Sequence, residues 1–304
     1  MSVRIIDKIR TLKNQRNAVI LAHNYQPGEI QDIADFTGDS LGLSVQASKT
    51  DADVIVFCGV LFMAETAAIL SPDKTVLLPD KSAGCPMADM INAAQLQELK
   101  DQHPEALVVC YVNSTAEVKA LSDYCCTSGN ALELVKMLPE DREIIFVPDK
   151  NLGGFIVEQL GRDVILWPGY CSTHVRILTD DVQQARKEHP KAVVLGHPEC
   201  SPDVREIADE LLSTGQMLKF AKISDADEFI IATEKGIIHS LKKQNPNKQF
   251  YPVAQKAVCP NMKKISLEKV VWALEDMQYQ ITVPEPICSN ARRSLDRMLQ
   301  VLPK

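Results

Sequence analysis

The chain has 304 residues, of which 45% are hydrophobic, and a formal net charge of −7 with a pI near 5.5. This size is sufficient for a large buried core, and the acidic balance argues against nucleic acid or an anionic membrane surface as partners. No apolar run approaches the roughly 18 residues of a membrane span. The first ten residues lack the apolar segment of a signal peptide, so we expect a cytoplasmic protein with reduced cysteines.

Apolar runs alternate with amphipathic stretches along the first hundred residues. Short apolar runs bounded by turn residues predict strands, whereas a spacing of three to four residues between apolar positions predicts helices. The elements predicted in chain order are a strand over 18–23, a helix over 27–36, a helix that begins at Ser40, a strand over 53–57, a helix over 63–70 and a strand over 75–78 that leads to Cys85.

The first strand has two counterparts later in the chain. Apolar runs that begin at Ala18, Ala106 and Ala192 superpose without a gap, and each ends in an aromatic or imidazole side chain. A fixed period is the sequence sign of a repeated structural unit, so we predict three copies of one α/β unit. We place the units at 1–102, 103–188 and 189–265, with C-terminal helices over 266–304 that pack back on them.

Near-continuously apolar strands between helices indicate parallel sheets that are covered on both faces. We therefore expect three homologous three-layer α/β/α domains with short parallel sheets, arranged around a pseudo-threefold axis. Ligands of open parallel sheets bind beyond the carboxyl ends of the strands. The side chains predicted at those ends are His23, Tyr25, Tyr111, Asn113, His197 and Glu199.

Three of the nine cysteines share the repeat register. Cys85, Cys171 and Cys259 follow one another at intervals of 86 and 88 residues, and three units around one axis would bring their thiols together. Structural zinc takes four protein ligands, whereas a cubane iron–sulfur cluster on three cysteines leaves one iron open to substrate. The alternative is an accidental register of three unrelated core or surface cysteines. We expect Cys58 and Cys110 in buried strands and Cys125, Cys126, Cys200 and Cys288 in loops or helices, and we assign no role to these last four.

Three hydroxyl residues also share one register. Ser40, Ser128 and Thr214 each stand 17 residues after a repeated strand and before a predicted helix, which makes each a candidate N-cap. Helix capping alone is the simpler explanation for any one of them. Because helix N-termini attract anions, three hydroxyls beside a metal centre indicate an anionic substrate with carboxylates or a phosphate.

Groups that transfer protons complete the predicted site. His23 and His197 could be structural, yet a histidine at the rim of an active site is a competent acid or base near neutral pH. Tyr25 and Glu199 are further proton-transfer candidates, and His174 lies three residues after a candidate cluster ligand.

These residues resemble the quinolinate synthase (NadA) family over nearly the whole chain. The stretches that carry the resemblance are His23-Asn-Tyr25-Gln, Gly38-Asp-Ser40, Phe62-Met-Ala-Glu65-Thr, Gly84-Cys85-Pro-Met, Tyr111-Val-Asn113-Ser, Thr127-Ser128-Gly-Asn, Pro148-Asp-Lys-Asn-Leu-Gly, Gly169-Tyr-Cys171-Ser-Thr-His174, His197-Pro-Glu199-Cys, Ser213-Thr214-Gly, Thr233-Glu-Lys-Gly and Val258-Cys259-Pro260.

The resemblance implies a [4Fe–4S] cluster on Cys85, Cys171 and Cys259. It implies condensation of iminoaspartate (iminosuccinate) with dihydroxyacetone phosphate to quinolinate, with loss of phosphate and water, in de novo NAD biosynthesis. An L-aspartate oxidase would then supply the imine. Two other functions stay open: an iron–sulfur hydro-lyase acting on a small hydroxy acid, and a non-catalytic iron–sulfur sensor.

Residue roles follow from the resemblance and from the chemistry together. We expect proton transfer from Tyr25, His23, Glu199 and His174. The residues expected to hold the substrates are His23, Ser40, Tyr111, Asn113, Ser128, His197, Glu199 and Thr214.

Overall fold

The computed structural model describes residues 2–301, and these form three four-stranded sheets in which every strand pair is parallel. The first sheet contains β1 (Ala18–His23), β2 (Phe36–Gly38), β3 (Val54–Cys58) and β4 (Thr75–Leu77) in the order β2-β1-β3-β4. The second contains β5 (Leu107–Tyr111), β6 (Tyr124–Cys126), β7 (Ile144–Val147) and β8 (Ile165–Leu166) in the order β6-β5-β7-β8. The third contains β9 (Val193–Gly196), β10 (Glu210–Leu211), β11 (Glu228–Ala232) and β12 (Gln249–Pro252) in the order β10-β9-β11-β12.

Helices connect consecutive strands. Those of the first sheet are α1 (Ser2–Gln15), α2 (Gly28–Ile33), α3 (Ser40–Lys49), α4 (Leu61–Leu70) and α5 (Ala93–Gln102). Those of the second are α6 (Ala116–Ala120), α7 (Ala131–Met137), α8 (Lys150–Leu160) and α9 (Thr179–Glu188). The remaining helices are α10 (Pro202–Glu206), α11 (Thr214–Ile223), α12 (Ile237–Gln244), α13 (Leu267–Asp276) and α14 (Ile287–Leu299).

The central strands of the sheets are buried along most or all of their length. Every residue of β3 and of β7 is buried, as expected when helices cover both faces of a parallel sheet. The predicted α/β class with three parallel sheets is thus confirmed, while the unit bounds stay predictions. Helix α13 packs on α1, and α14 packs on α4, α6 and β6, so the C-terminal helices contact elements of the first two units. Within residues 2–301, no helix has the length and apolarity that crossing a membrane requires.

An aspartate contact recurs in all three units and is independent evidence for the repeat. In each unit the carboxylate accepts a hydrogen bond from a backbone N–H of the first central strand, 15 residues earlier in the chain. These bonds join Asp35 to Ile20 at 2.8 Å, Asp123 to Val108 at 2.9 Å and Asp209 to Val194 at 2.7 Å. The side chain thereby fixes the start of a short edge strand beside its central neighbour.

Two sequence-based expectations for these edges were wrong. The helix predicted over 27–36 ends at Ile33, because the backbone turns extended at Ala34 and Phe36 begins β2, which pairs with β1. Cys125 and Cys126 lie in β6 and not in a loop or helix. With three residues each, β2 and β6 offer too few positions for a periodic pattern to distinguish them from a neighbouring helix or loop.

Candidate active site

One cavity lies where the carboxyl ends of the three sheets meet, and every site residue predicted from the sequence lines it. Central strands β1, β5 and β9 deliver side chains at or just beyond their last residues, as the rule for open parallel sheets requires. The predicted residues that line the cavity are His23, Tyr25, Ser40, Cys85, Tyr111, Asn113, Ser128, Cys171, His174, His197, Glu199, Thr214 and Cys259.

His23 and His197 occupy equivalent places in the first and third units. Nδ1 of His23 accepts a hydrogen bond from the backbone N–H of Tyr25 at 3.1 Å, and Nδ1 of His197 accepts one from that of Glu199 at 3.2 Å. An accepting Nδ1 leaves the ring proton on Nε2. Burial lowers the pKa of each histidine to about 3. This differs from the expected titration near neutral pH and favours neutral rings that donate hydrogen bonds from Nε2.

A hydrogen-bonded relay joins the three units. Glu199 lies at its centre, where one carboxylate oxygen accepts from the Tyr111 hydroxyl and the other lies 2.7 Å from Nδ1 of His174. Nε2 of His174 lies 2.7 Å from the Thr233 hydroxyl, which lies 2.6 Å from the Tyr25 hydroxyl. With Glu199 ionised, Nδ1–H donates to it, Nε2 accepts from Thr233, and Thr233 accepts from Tyr25. Every member of the relay is buried.

Opposing electrostatic effects set the charge of this relay. Burial alone would raise the pKa of Glu199, but its close contact with His174 and hydrogen bonds from His174 and Tyr111 hold that pKa well below its usual range. Burial and the nearby Glu199 carboxylate raise the pKa of both Tyr25 and Tyr111 well above the ordinary value. The relay therefore consists of one carboxylate and two protonated phenols at neutral pH.

Thr233 was not among the predicted site residues. It directly follows β11, a central strand of the third sheet, and is fully buried. Its position after a central strand was readable from the sequence. Its contacts were not, because they join residues separated by 59 and 208 positions.

Cys85, Cys171 and Cys259 are half-buried and line the same cavity. Burial, with a smaller contribution from a charge on Cys259, raises the pKa of Cys85 to about 12. Burial likewise raises the pKa of Cys171, with a smaller contribution from Cys85. All three cysteines therefore border one space. A 3₁₀ turn follows each cysteine at Ala88–Met90, His174–Arg176 and Asn261–Lys263.

A second grouping of ligand atoms involves Cys171, His174 and Glu199, whose sulfur, nitrogen and oxygen atoms lie within 4.8 Å of one another. His174 and Glu199 already bond to each other, and the other ring nitrogen of His174 faces Thr233. A mononuclear metal there would break the relay and leave Cys85 and Cys259 unused. The three cysteines are therefore the better candidate ligand set.

Ser40, Ser128 and Thr214 line the cavity, but the expectation that they cap helices was wrong. Asp39, Asn130 and Ser213 hold the capping positions of α3, α7 and α11. The Asp39 carboxylate accepts from Gly42 N–H at 2.8 Å, and the Ser213 hydroxyl accepts from Gln216 N–H at 3.3 Å. The N-caps thus lie one or two residues away from the predicted positions, and the three predicted hydroxyls are not used in capping.

One amide side chain, Asn113, lines the cavity, and a second, Asn24, bonds to a lining residue. Nδ2 of Asn24 donates to the Thr214 hydroxyl at 3.2 Å, so that this hydroxyl keeps its own proton for another acceptor. The Asn113 side-chain oxygen is buried and lacks a partner within the described part of the chain. Buried polar atoms are normally paired. Asn113 therefore has a free acceptor for a ligand of the cavity.

Comparison with known proteins agrees with this geometry. The profile of the family described as "Quinolinate synthetase A protein" matches residues 7–300. Quinolinate synthase of Dehalococcoides mccartyi (strain CBDB1) is 55% identical over 298 residues, 98% of each chain. The quinolinate synthase of Thermodesulfovibrio yellowstonii is 54% identical over 300 residues, which are 98% of this chain and 99% of the relative. Quinolinate synthase 2 of Methanosarcina acetivorans is 52% identical over 297 residues, 98% of this chain and 96% of the relative. The chain therefore belongs to the quinolinate synthetase A family.

Proposed function

We propose that the protein is a quinolinate synthase, which condenses iminoaspartate with dihydroxyacetone phosphate to quinolinate, phosphate and water in de novo NAD biosynthesis. The observation that carries the proposal is one cavity that collects three cysteines and a five-membered proton relay from three parallel sheets. Relatives at 52–55% identity that carry this name support it.

The cysteines fit a [4Fe–4S] cluster held by Cys85, Cys171 and Cys259. Among the described residues, no fourth cysteine lines the cavity, and a three-cysteine set is the arrangement that leaves one iron open. When bound, such a cluster supplies a Lewis acid for a substrate oxygen or nitrogen. Because burial raises the pKa of the free thiols, we expect metal loading to release protons and to strengthen as pH rises.

The relay gives Tyr25 the means to exchange a proton at the substrate. Glu199 holds His174 with its proton on Nδ1, so Nε2 is free to accept from Thr233. When the Thr233 proton moves to His174, the Thr233 oxygen can take the proton of Tyr25. The Tyr25 phenolate can then remove a proton from a substrate carbon, and the protonated phenol can later donate that proton to a leaving hydroxyl. In this proposal Glu199 and His174 act through the relay.

Neutral donors of the cavity would hold the anionic groups of the two substrates. His23 and His197 present Nε2–H, and Thr214 presents a hydroxyl proton that Asn24 leaves free. Hydrogen bonds from neutral donors to a charged acceptor are strong in a buried site. We propose that Ser40 and Ser128 donate in the same way, whereas Asn113 and the Glu199 carboxylate would contact the substrates as acceptors, with Tyr111 as the phenol that donates to Glu199.

The cluster ligands must be reduced thiols, so we propose that the protein works in the cytoplasm. We also propose that an L-aspartate oxidase supplies the unstable imine. The test is anaerobic purification, loading with iron and sulfide, and assay of quinolinate and phosphate. Quinolinate should form only when imine and dihydroxyacetone phosphate are both present. Water elimination from a hydroxy acid alone, without quinolinate formation, would instead favour a hydro-lyase.

A further inference from the structure

The residue after Thr233 is a fully buried carboxylate, Glu234, which the proposed reaction does not use. One of its oxygens accepts from the backbone N–H of Gly236 at 2.7 Å. The other accepts from the backbone N–H of Cys259 at 3.3 Å and lies 2.9 Å from Nζ of Lys263. The carboxylate therefore connects the end of β11 to the loop that carries the third candidate cluster ligand.

Lys263 continues the connection into the first unit. It ends the 3₁₀ turn that follows Cys259, and its ammonium group also donates to the backbone carbonyl of Tyr25. The path thus leads from the Cys259 N–H through the Glu234 carboxylate and the Lys263 ammonium to Tyr25. It joins the backbone of a candidate cluster ligand to that of the tyrosine at the end of the relay.

Gly236 shows how closely these groups approach. A Cβ atom at this position would lie 2.7 Å from both the Glu234 carboxylate and the Lys263 ammonium, and 2.8 Å from the Tyr25 carbonyl oxygen. Those distances exclude a larger side chain unless the ion pair moves. The stretch Thr233-Glu-Lys-Gly therefore contributes a relay hydroxyl, a buried carboxylate and the space in which the ion pair forms.

The energetics of the pair favour a positioning role over a stabilising one. Burial of a charge pair is costly, and apolar residues of similar volume often give equal or greater stability. Glu234 is compensated by the backbone N–H groups of Gly236 and Cys259 and by the Lys263 ammonium. Removal of one partner leaves the other charge without compensation, so the loops would separate or admit water.

We propose that Glu234 and Lys263 are positioning residues that hold the Cys259 loop against the Tyr25 loop, so that the third thiol and the phenol keep fixed places. The inference rests on the proposed function, because it assumes that Cys259 binds the cluster and that Tyr25 transfers protons. Neither side chain lines the cavity, so we expect their effect on substrates to be indirect.

The test compares Lys263→Met and Glu234→Gln with two controls. Lys263→Arg keeps the positive charge. Lys13→Met breaks the Lys13–Asp35 pair, whose lysine lies on α1 and is about as exposed as Lys263 (22% against 26%), but whose carboxylate is partly exposed where Glu234 is buried. Each protein is loaded with iron and sulfide without oxygen, and iron loss to a ferrous chelator is followed by absorbance. Outer-shell substitutions typically weaken metal binding by about 10- to 100-fold, so we expect loss from Lys263→Met and Glu234→Gln to be faster by that order.

The remaining readouts separate positioning from general destabilisation. We expect kcat of Lys263→Met to fall with little change in either KM, while Lys263→Arg restores both kcat and iron retention. The double variant Glu234→Gln/Lys263→Met should lose iron no faster than the worse single variant, because both residues form one connection. Parent-like iron retention in a folded Lys263→Met would overturn the inference, and so would loss of the fold in that variant. If the parent itself bound no iron or made no quinolinate, the proposed function would fail instead.

Discussion

Replacement of Thr233 by valine is the most direct test of the relay. Valine has nearly the shape of threonine but lacks the hydroxyl that lies 2.6 Å from Tyr25 and 2.7 Å from His174. Two buried polar groups then lose a partner, at about 1–3 kcal/mol each, so we expect unfolding free energy to fall by about 2–6 kcal/mol. The His174 ring should stay in place, because it stacks on His197 with centroids 4.6 Å apart.

The effect on turnover should be larger than the effect on structure. Positioned proton transfer typically contributes about 10²- to 10⁴-fold to rate, so we expect Thr233→Val to lose turnover by that order. Iron content and the cluster absorption spectrum should match the parent. The assay is quinolinate formation by the loaded protein, with a thermal melt of the same samples.

Thr233→Ser is the matched control, because it keeps the hydroxyl and removes only a methyl group. We expect it to retain most of the activity. Parent-like turnover in Thr233→Val would refute the relay. Equal losses in the valine and serine variants would assign the effect to packing of the methyl group.

Four further outcomes are expected. Glu199→Gln keeps the size of the side chain but removes the carboxylate, so turnover should drop about 10²-fold or more with an unchanged cluster spectrum, and near-normal turnover would demote Glu199 to a structural role. Cys259→Ser should abolish iron binding while Cys288→Ser retains it, and the reverse pattern of iron content would contradict the ligand set. Thr214→Ala should weaken a dicarboxylate analogue by about 1.5–3 kcal/mol, roughly 10- to 150-fold. Its unfolding free energy should fall by about 1–3 kcal/mol, because Asn24 loses a partner while Ser213 still caps the helix, and unaltered affinity would exclude the binding role. His197 has a pKa of about 3 in the folded protein, so its contribution to stability is present above pH 6.5 and falls by about 2 kcal/mol by pH 5. The melting temperature of His197→Gln should therefore depend less on pH than that of the parent. An equal dependence of melting temperature on pH in the two proteins would argue against a buried neutral ring.

Much of the fold and the composition of the site could be predicted from the sequence. The strand over 18–23 has the predicted bounds, and all thirteen predicted site residues line one cavity. Repetition made this feasible, because three copies of a register show which polar residues follow a strand end. Recognition of the family added the substrates and the cluster, which the register alone left open.

The remaining features depend on contacts between distant residues. The N-caps predicted at Ser40, Ser128 and Thr214 were misplaced by one or two residues, because several candidate capping residues stand side by side in the sequence. The histidine tautomers follow from backbone N–H groups two residues away, whose directions only the folded turn defines. Glu199 has a low pKa because His174 and Tyr111 arrive from elsewhere in the chain.

The repeat also explains how a symmetric scaffold can serve an asymmetric reaction. His23 in the first unit and His197 in the third make the same backbone contact. The equivalent position in the second unit is Tyr111, whose phenol donates to Glu199. The position two residues later differs in all three units: Tyr25 joins the relay through Thr233, and Glu199 lies at its centre. Condensation of two unlike substrates needs donors for anions on some sides of the cavity and proton transfer on another. Equivalent strand ends with unlike side chains meet that need, since the backbone fixes where each group lies and the side chain alone decides what it does.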